Sequence, residues 1–245
     1  MATLEKEARP RKTAETPIET FLNKVEIFKN LPRETAHVID KRIRKMYFKK
    51  GEQIMSEFEK GEGVFFVQSG VVKLTKQDEK GNEMIVCIKK KGDIFAESCL
   101  FNDETNYPAT GIMLQAGEIY FLHTEELEQE LMASPEMAVH MIRYMSGQLR
   151  EFTSIMRDIA LLDVYAKTIK TIERLAEKFG KSKCNEVLIE LPLTVQEFAS
   201  LIGTSRESVS RVFSKLRKEG LIDIKSKKII ILDWCKFCQS KLKDV

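Results

Sequence analysis

The chain has 245 residues, of which 43% are hydrophobic and 31% are charged, so it has enough apolar side chains for a buried core and is not a disordered polypeptide. No apolar run approaches the roughly 20 residues that span a bilayer, and Met1–Pro17 lacks the hydrophobic stretch of a secretory signal. We therefore expect a cytoplasmic protein. The net charge of +3 is unevenly distributed, because the part from Val164 onward has 17 Lys and Arg against 10 Asp and Glu, whereas the rest has 23 against 27. A basic C-terminal third is typical of a module that binds a polyanion, although a lysine-rich solvated surface has the same balance.

The N-terminal half is predicted to be mainly β-structure. A helix is expected first, at Pro17–Phe28. Between Lys49 and His123, short runs of β-branched and aromatic residues, such as Val64–Val67 and Met84–Ile88, alternate with glycine-containing turns. Strands at this spacing predict an antiparallel sandwich or barrel.

A long helix with one apolar stripe is predicted next. Its apolar residues recur at alternating intervals of four and three, and we call this set the heptad seam: Ala138, Ile142, Met145, Leu149, Phe152, Met156 and Ile159. An apolar stripe of this kind is costly in water and needs a partner. Either the barrel of the same chain or a second copy of the helix would cover it, and its length and regular spacing favour a parallel homodimer. The seam is interrupted at Asp163.

Two helices joined by a tight turn follow a helix at Tyr165–Phe179 and a short strand at Val187–Leu191. Thr194 with Glu197 three residues later forms a capping box, which predicts the start of the first of these two helices. Gly203 ends it in a left-handed conformation, and Ser205 caps the second. Together with the small residue Ala199, these placements match the spacing of a DNA-binding helix-turn-helix.

The outer face of the second helix has the residue types that contact DNA bases. Arg206, Glu207, Ser210 and Arg211 project together from its first two turns. Arginine can donate two hydrogen bonds to guanine, and glutamate can accept one from cytosine. A solvated helix with an ion pair between Glu207 and Arg211 is the alternative, and the cap, the glycine turn and the basic surroundings favour DNA.

A β-hairpin with a basic tip is predicted after the second helix. Leu221–Ile224 and Ile229–Leu232 are its strands, and the lysines of Lys225–Lys228 would contact phosphates. The candidate residues for contact with double-stranded DNA are Thr194, Ser205, Arg206, Glu207, Ser210, Arg211, Lys215 and Lys227.

From about Phe21 onward, the sequence resembles the CRP/FNR family of transcription regulators. The matching pieces are the glycine-punctuated barrel, Gly92–Phe101, the long helix that ends in Leu161-Leu-Asp163, and Thr204–Arg211. The resemblance implies an α+β fold with a jelly-roll-like, cyclic-nucleotide-binding type of β-barrel (double-stranded β-helix), a long dimerisation helix and a winged helix-turn-helix. We expect residues 1–17 to form a disordered tail, 18–135 the sensing barrel, 136–162 the dimerisation helix and 163–245 the DNA-binding domain. It also implies a homodimer that binds a palindromic site with TGTGA-like half-sites under control of a small-molecule or redox signal, with RNA polymerase as a further partner and no membrane.

The effector itself is not evident from the sequence. Family members that bind cyclic AMP have a Gly-Glu-Leu segment and a downstream Arg-Ser pair, whereas this chain has Ala96-Glu97-Ser98 and Tyr107-Pro108-Ala109. Without that arginine the pocket lacks the charge that a buried phosphate requires, so cyclic AMP is disfavoured. Glu97, Thr153 and Ser154 remain candidate effector contacts, with a purely structural polar role as the alternative.

Cys235 and Cys238 suggest a second type of signal. Some Gram-positive relatives hold an iron–sulfur cluster with C-terminal cysteines and an aspartate on the long helix, where Asp158 lies in this chain. Such a cluster needs about four protein ligands, and no third cysteine follows Cys238, so a cluster is disfavoured. A redox-labile disulfide or a zinc site is the alternative, and two unpaired thiols are the default.

Enzymatic activity is not expected. His37, His123 and His140 are scattered, and the sequence contains neither a P-loop nor a G-x-S-x-G elbow. The alternative to DNA binding is a ligand-sensing module that acts on a protein partner. Affinity for a specific palindrome against random duplex distinguishes the two hypotheses.

Overall fold

The computed structural model describes residues 21–22, 25–28, 33–102, 105–226 and 228–240. The predicted tail 1–17 lies outside the described residues. Of the helix predicted at Pro17–Phe28, residues 21–22 are helical and Glu26–Phe28 forms a single 3-10 turn. The first long helix, α1 (Arg33–Arg42), was not predicted from the sequence. Within the described ranges, no helix combines the length and apolarity that crossing a membrane demands.

Eight antiparallel strands form the N-terminal barrel. They are β1 (Arg44–Phe48), β2 (Gln53–Met55), β3 (Gly63–Val67), β4 (Val71–Gln77), β5 (Glu83–Lys90), β6 (Ile94–Phe95), β7 (Thr110–Gln115) and β8 (Gly117–His123). One sheet has the order β1-β8-β3-β6 and the other β2-β7-β4-β5. Two four-stranded sheets with these crossovers are a jelly roll, so the barrel prediction is confirmed.

Aromatic rings fill the space between the two sheets. The Phe65 ring stacks on Phe95 at a centroid distance of 5.0 Å and contacts Phe121 at 5.1 Å and Tyr107 at 5.7 Å. All four side chains are buried. These aromatic side chains therefore form a closely packed core between the two sheets.

Two helices connect the barrel to the C-terminal half: α2 (Thr124–Ala133) and α3 (Pro135–Leu161). The hydroxyl of Ser134 caps α3 by accepting a hydrogen bond from the amide of Met137 at 3.3 Å. Met137 and Met141 are buried in the core that α3 shares with the barrel. The barrel therefore covers residues of α3 that are not part of the heptad seam.

The C-terminal half contains a second, smaller sheet and the remaining helices. Its elements are α4 (Val164–Phe179), β9 (Gly180–Lys183), β10 (Glu186–Ile189), α5 (Val195–Ile202), α6 (Arg206–Lys218), β11 (Ile222–Lys225), β12 (Lys228–Ile231) and α7 (Trp234–Ser240). The sheet has the order β11-β12-β10-β9. The predicted hairpin is present as β11 and β12. Strand β9, which pairs with β10, was not predicted from the sequence.

The two halves of the molecule are in direct contact. Strand β5 is the last strand of its sheet, and the hydroxyl of Ser200 on α5 bonds to its outer edge by donating to the carbonyl of Glu83 at 2.6 Å and accepting from the amide of Ile85 at 3.1 Å. Ile85 and Ile88 of β5 belong to the same hydrophobic core as the helices of the C-terminal half. Helix α5 is thus attached to the barrel by both polar and apolar contacts.

Candidate nucleic-acid interface

The turn between α5 and α6 is built by local side-chain caps. Thr194 accepts a hydrogen bond from the Glu197 amide at 3.1 Å, and the Glu197 carboxylate accepts one from the Thr194 amide at 2.9 Å. Gly203 has φ of +65°, a left-handed conformation that glycine adopts without steric cost. The Ser205 hydroxyl caps α6 by accepting from the Ser208 amide at 3.2 Å. The predicted capping box, glycine turn and second cap are all confirmed.

The inner face of α6 fixes this helix against α5. Val209, Phe213 and Leu216 are buried, and the ring of Phe213 meets that of Phe198 on α5 edge-on at a centroid distance of 5.0 Å. Because one face is held by this core, the opposite face of α6 points outward.

Four of the predicted base-contacting residues lie together on that outward face. Arg206, Glu207, Ser210 and Arg211 are all exposed. The predicted pair between Glu207 and Arg211 has a different form, since Arg211 Nε donates to the backbone carbonyl of Glu207 at 3.5 Å. The carboxylate of Glu207 is thus available to a hydrogen-bond donor from outside the helix.

The last turns of α6 extend this face with further polar and basic side chains. Ser210, Arg211, Ser214, Lys215, Lys218 and Glu219 line one open concave surface. Lys215 Nζ lies 4.1 Å from the ring centroid of Tyr165 on α4 and 3.9 Å from Glu219 Oε1. Ser214 and Lys218 were missed by the sequence analysis, although their spacing of three and seven residues from Arg211 would have placed them on its face.

The remaining candidates for DNA contact have varied surroundings. The Thr194 hydroxyl also donates to Glu197 Oε2 at 2.8 Å, so it is already used in the cap. Lys227 lies outside the described residues. On β11, the hydrogen bond from Lys225 and the nearby charge of Arg217 hold the pKa of Asp223 below its usual range. Asp223 thus neutralises part of the positive charge of the hairpin.

Comparison with known proteins gives the family. The model described as "Cyclic nucleotide-binding domain" matches residues 45–134, and the one described as "Crp-like helix-turn-helix domain" matches residues 166–239. The "Anaerobic regulatory protein" of Bacillus subtilis is 32% identical over 171 residues, which are 70% of this chain and 72% of that protein. The chain belongs to the CRP/FNR family. As a member of this family it is a DNA-binding transcription regulator, and its relatives are regulators rather than enzymes.

Other relatives extend the similarity of this CRP/FNR-family protein along the chain. The "CRP-like cAMP-activated global transcriptional regulator" of Mycobacterium tuberculosis is 23% identical over 216 residues, 88% of this chain and 96% of that one. Among solved structures, FixK2 from Bradyrhizobium japonicum has a TM-score of 0.71 at 18% identity and covers 80% of this chain and 96% of its own. The last comparison supports the fold alone.

The candidate effector residues of the CRP/FNR-family protein make local contacts. Glu97 is half-buried in a short 3-10 turn after β6, which begins where Ala96 has φ of +65°. On α3, the Thr153 hydroxyl donates to the Leu149 carbonyl at 2.8 Å, and Ser154 Oγ accepts from Arg157 at 3.4 Å. These hydrogen bonds fit the alternative given above, in which Thr153 and Ser154 have a purely structural role and do not contact an effector.

By the resemblance described above, Tyr107 stands where cyclic-AMP binders of the family have arginine. Its ring is buried among the barrel aromatics, and its hydroxyl accepts a hydrogen bond from the Glu62 amide at 3.3 Å. Burial raises the pKa of Tyr107, so the side chain is neutral at pH 7. A neutral, packed phenol does not supply the positive charge that a cyclic phosphate requires, and cyclic AMP does not fit the residues present.

Asp158 joins α3 to α4 through ion pairs. Its side chain is almost fully buried, and its carboxylate meets Arg157 at 2.8 Å, Lys170 at 3.6 Å and also Arg174. Burial opposes ionisation, but the hydrogen bond from Arg157 and the charges of Arg174 and Lys170 outweigh it and lower the pKa of Asp158. This carboxylate is therefore already paired with protein cations.

The two C-terminal cysteines of the CRP/FNR-family protein lie on α7. Cys235 is exposed and Cys238 is half-buried. In the part of the chain that the structure describes, no three His, Cys, Asp or Glu side chains gather as a metal site. The pairing of Asp158 with cations likewise gives no support to an iron–sulfur cluster.

Proposed function

We propose that this regulator binds a palindromic DNA site as a homodimer, with Arg206, Glu207, Ser210 and Arg211 of α6 contacting bases in the major groove. The observation that carries the proposal is the exposed α6 face, on which two arginines, one glutamate and one serine project from the first two turns. A recognition helix makes its base contacts with these turns. Arginine to guanine and glutamate to cytosine are the contacts expected for TGTGA-like half-sites.

Exposure of the heptad seam supports a dimer through α3. Ile142 is 63% exposed, Leu149 68% and Met156 70%. The barrel packs on Met137 and Met141 and leaves these three residues uncovered, which favours a second copy as their partner, while Phe152 and Ile159 of the seam are half-buried within the same chain. A second copy of α3 would bury the stripe and place two α6 helices for two half-sites.

The basic side chains around the α6 face would contact phosphates. Lys215, Arg217 and Lys218 lie in the last turn of α6, Lys225 ends β11, and Lys227 was predicted as part of the hairpin tip from the sequence. Such contacts give affinity that is independent of sequence and falls steeply with salt.

The signal is proposed to be a small molecule other than cyclic AMP, or thiol chemistry at Cys235 and Cys238. The replacement of the phosphate-binding arginine by Tyr107 argues against cyclic AMP. The exposure of Cys235 makes its thiol accessible to oxidants. Intact mass spectrometry under denaturing conditions, before and after mild oxidation, tests the thiol signal, because a disulfide removes two hydrogen atoms from the mass whereas a non-covalent ligand is lost.

DNA binding is tested with a palindrome of two TGTGA half-sites centred one helical turn apart. Fluorescence anisotropy is expected to give a Kd of about 10⁻⁸–10⁻¹¹ M, at least 1,000-fold tighter than for random duplex. Equal affinity for the two duplexes would favour the alternative function, regulation of a protein partner.

The role of Arg211 in base contact is tested by Arg211→Ala. We expect about 10- to 100-fold weaker binding to the palindrome and little change on random duplex, because a lost bidentate base contact weakens only the specific complex. Arg44→Ala, which removes an exposed arginine from β1 of the barrel, is the matched control and should change neither affinity. An unchanged ratio of the two affinities in Arg211→Ala would contradict the assignment.

A further inference from the structure

A cavity of about 310 Å³ lies where β5, α3, α4 and α5 meet. This volume is at the lower end of the range of roughly 300–1,000 Å³ that is typical of small-molecule sites. The residues that line it do not include Glu97, Tyr107, Thr153 or Ser154. The predicted effector residues therefore do not form its walls, although Phe152 and Ile155, which flank Thr153 and Ser154, do.

The walls of the cavity are mainly apolar and come from both halves of the molecule. Strand β5 contributes Ile85 and Ile88, helix α3 contributes Phe152 and Ile155, α4 contributes Leu175 and α5 contributes Ile202. Side chains of this kind favour a hydrocarbon group as occupant.

One charged side chain of the lining, Lys89, is buried without a counter-ion. Its exposure is 4%. Its ammonium group donates to Gln148 Oε1 at 3.1 Å and to the hydroxyl of Tyr144 at 3.4 Å. Both partners are neutral, since burial raises the pKa of Tyr144. Among the described residues, no ion pair joins Lys89 Nζ to a carboxylate, although the charges of Glu97 and Asp93 act on its partner Tyr144. A buried ammonium without an ion pair is costly.

The other charges around the cavity are balanced or reach solvent. Asp158 is paired with Arg174 as described above, and Lys178 Nζ lies 2.9 Å from Asp93 Oδ2. Glu151 and Glu177 are exposed, so water solvates them. Lys167 also lines the cavity but is only half-buried, so the fully buried charge without an ion pair at this site is that of Lys89.

We propose that the cavity binds a small organic anion with an apolar body, whose carboxylate meets Lys89 Nζ and whose hydrocarbon part packs against the isoleucine and leucine walls. The anion would replace the missing counter-ion of Lys89, while the walls remove its chain from water. Because β5 and α5 both line the cavity, the occupant would contact the barrel and the helix-turn-helix at the same time. The site goes beyond the proposed recognition of DNA, and its occupancy is measured without DNA.

The experiment is calorimetric titration of the full-length protein with decanoate and, in parallel, with the neutral analogue decan-1-ol. We expect saturable binding of one decanoate per chain, and decan-1-ol to bind roughly tenfold or more weakly, because only the carboxylate forms a charge-assisted hydrogen bond. Absence of saturable decanoate binding up to about 1 mM would overturn the proposal. Failure to bind the DNA palindrome would leave this result intact, so the two proposals fail separately.

Variants locate the binding in the cavity. Lys89→Met is expected to bind decanoate and decan-1-ol equally, whereas Lys91→Met, which removes an exposed lysine two residues away, keeps the preference for decanoate. Lys89→Arg keeps the charge and should keep the preference for decanoate.

The variant Ile155→Trp fills the cavity and should abolish binding of both ligands. It tests the site even if Lys89→Met does not fold. A preference for decanoate that survives in Lys89→Met, or unchanged binding to Ile155→Trp, would refute the assignment.

Discussion

Replacing Leu149 by glutamine tests the dimer through the heptad seam quantitatively. Full burial of a leucine side chain contributes about 1.5–3 kcal/mol, and 68% of this residue is still exposed in the single chain. About two-thirds of that free energy is then available at the interface, or about 1–2 kcal/mol for each copy. Because a symmetric dimer contains two copies, Leu149→Gln should cost about 2–4 kcal/mol, which weakens the dimer roughly 30- to 700-fold.

Sedimentation equilibrium over a range of protein concentrations measures this change directly. Arg150→Gln is the matched control, because it introduces the same side chain at the next position of α3, which is also exposed but lies outside the seam. Its dimer dissociation constant should stay within about threefold of the original. Equal effects of the two substitutions, or a mass of a single chain for the unmodified protein at all concentrations, would refute dimerisation through this face.

Two further substitutions test the stability of the parts that position the DNA-binding helices. Asp158→Asn should lower the free energy of unfolding at pH 7 by about 1–3 kcal/mol, less than for a fully buried pair because the three cations are partly exposed. Since the folded pKa of Asp158 is lowered, its contribution is complete above the ordinary aspartate pKa of about 4 and is lost as the pH falls through the folded value. Urea denaturation at pH 7 and at acidic pH should therefore show the difference shrinking, and a difference that does not depend on pH would contradict this reasoning. Thr194→Ala removes the cap of α5 and should cost about 1 kcal/mol, or about 2–4 °C in Tm by circular dichroism. An unchanged Tm would mean that the cap adds nothing in this context.

The helix-turn-helix was predictable nearly residue by residue, because its determinants are local. Thr194 with Glu197, Gly203 and Ser205 each act on backbone groups within four residues, and the structure has all of these contacts. The barrel was predictable as a class, since glycine turns and β-branched runs indicate strands. The pairing order of those strands depends on crossovers that no short sequence window contains.

The parts that the sequence did not predict have weak local patterns or depend on tertiary contacts. Strand β9 has the sequence Gly-Lys-Ser-Lys and is mostly exposed, so no hydrophobic alternation marks it. Helix α1 presents only a few apolar residues, with Ala36 and Ile39 buried. The cavity beside Lys89 exists only because β5, α3, α4 and α5 meet there. Its lining residues are far apart in the chain, and no motif connects them.

Through the hydrogen bonds between Ser200 and β5, helix α5 of the DNA-binding motif also covers part of an open sheet edge of the barrel. An open sheet edge has unpaired amide and carbonyl groups, which are ready to pair with a strand of another molecule. While α5 stays in place, the hydroxyl of Ser200 occupies two of these groups on β5. Movement of α5 away from the barrel would expose the unpaired backbone groups of this sheet edge. We therefore expect mobility of α5 to be accompanied by self-association in solution.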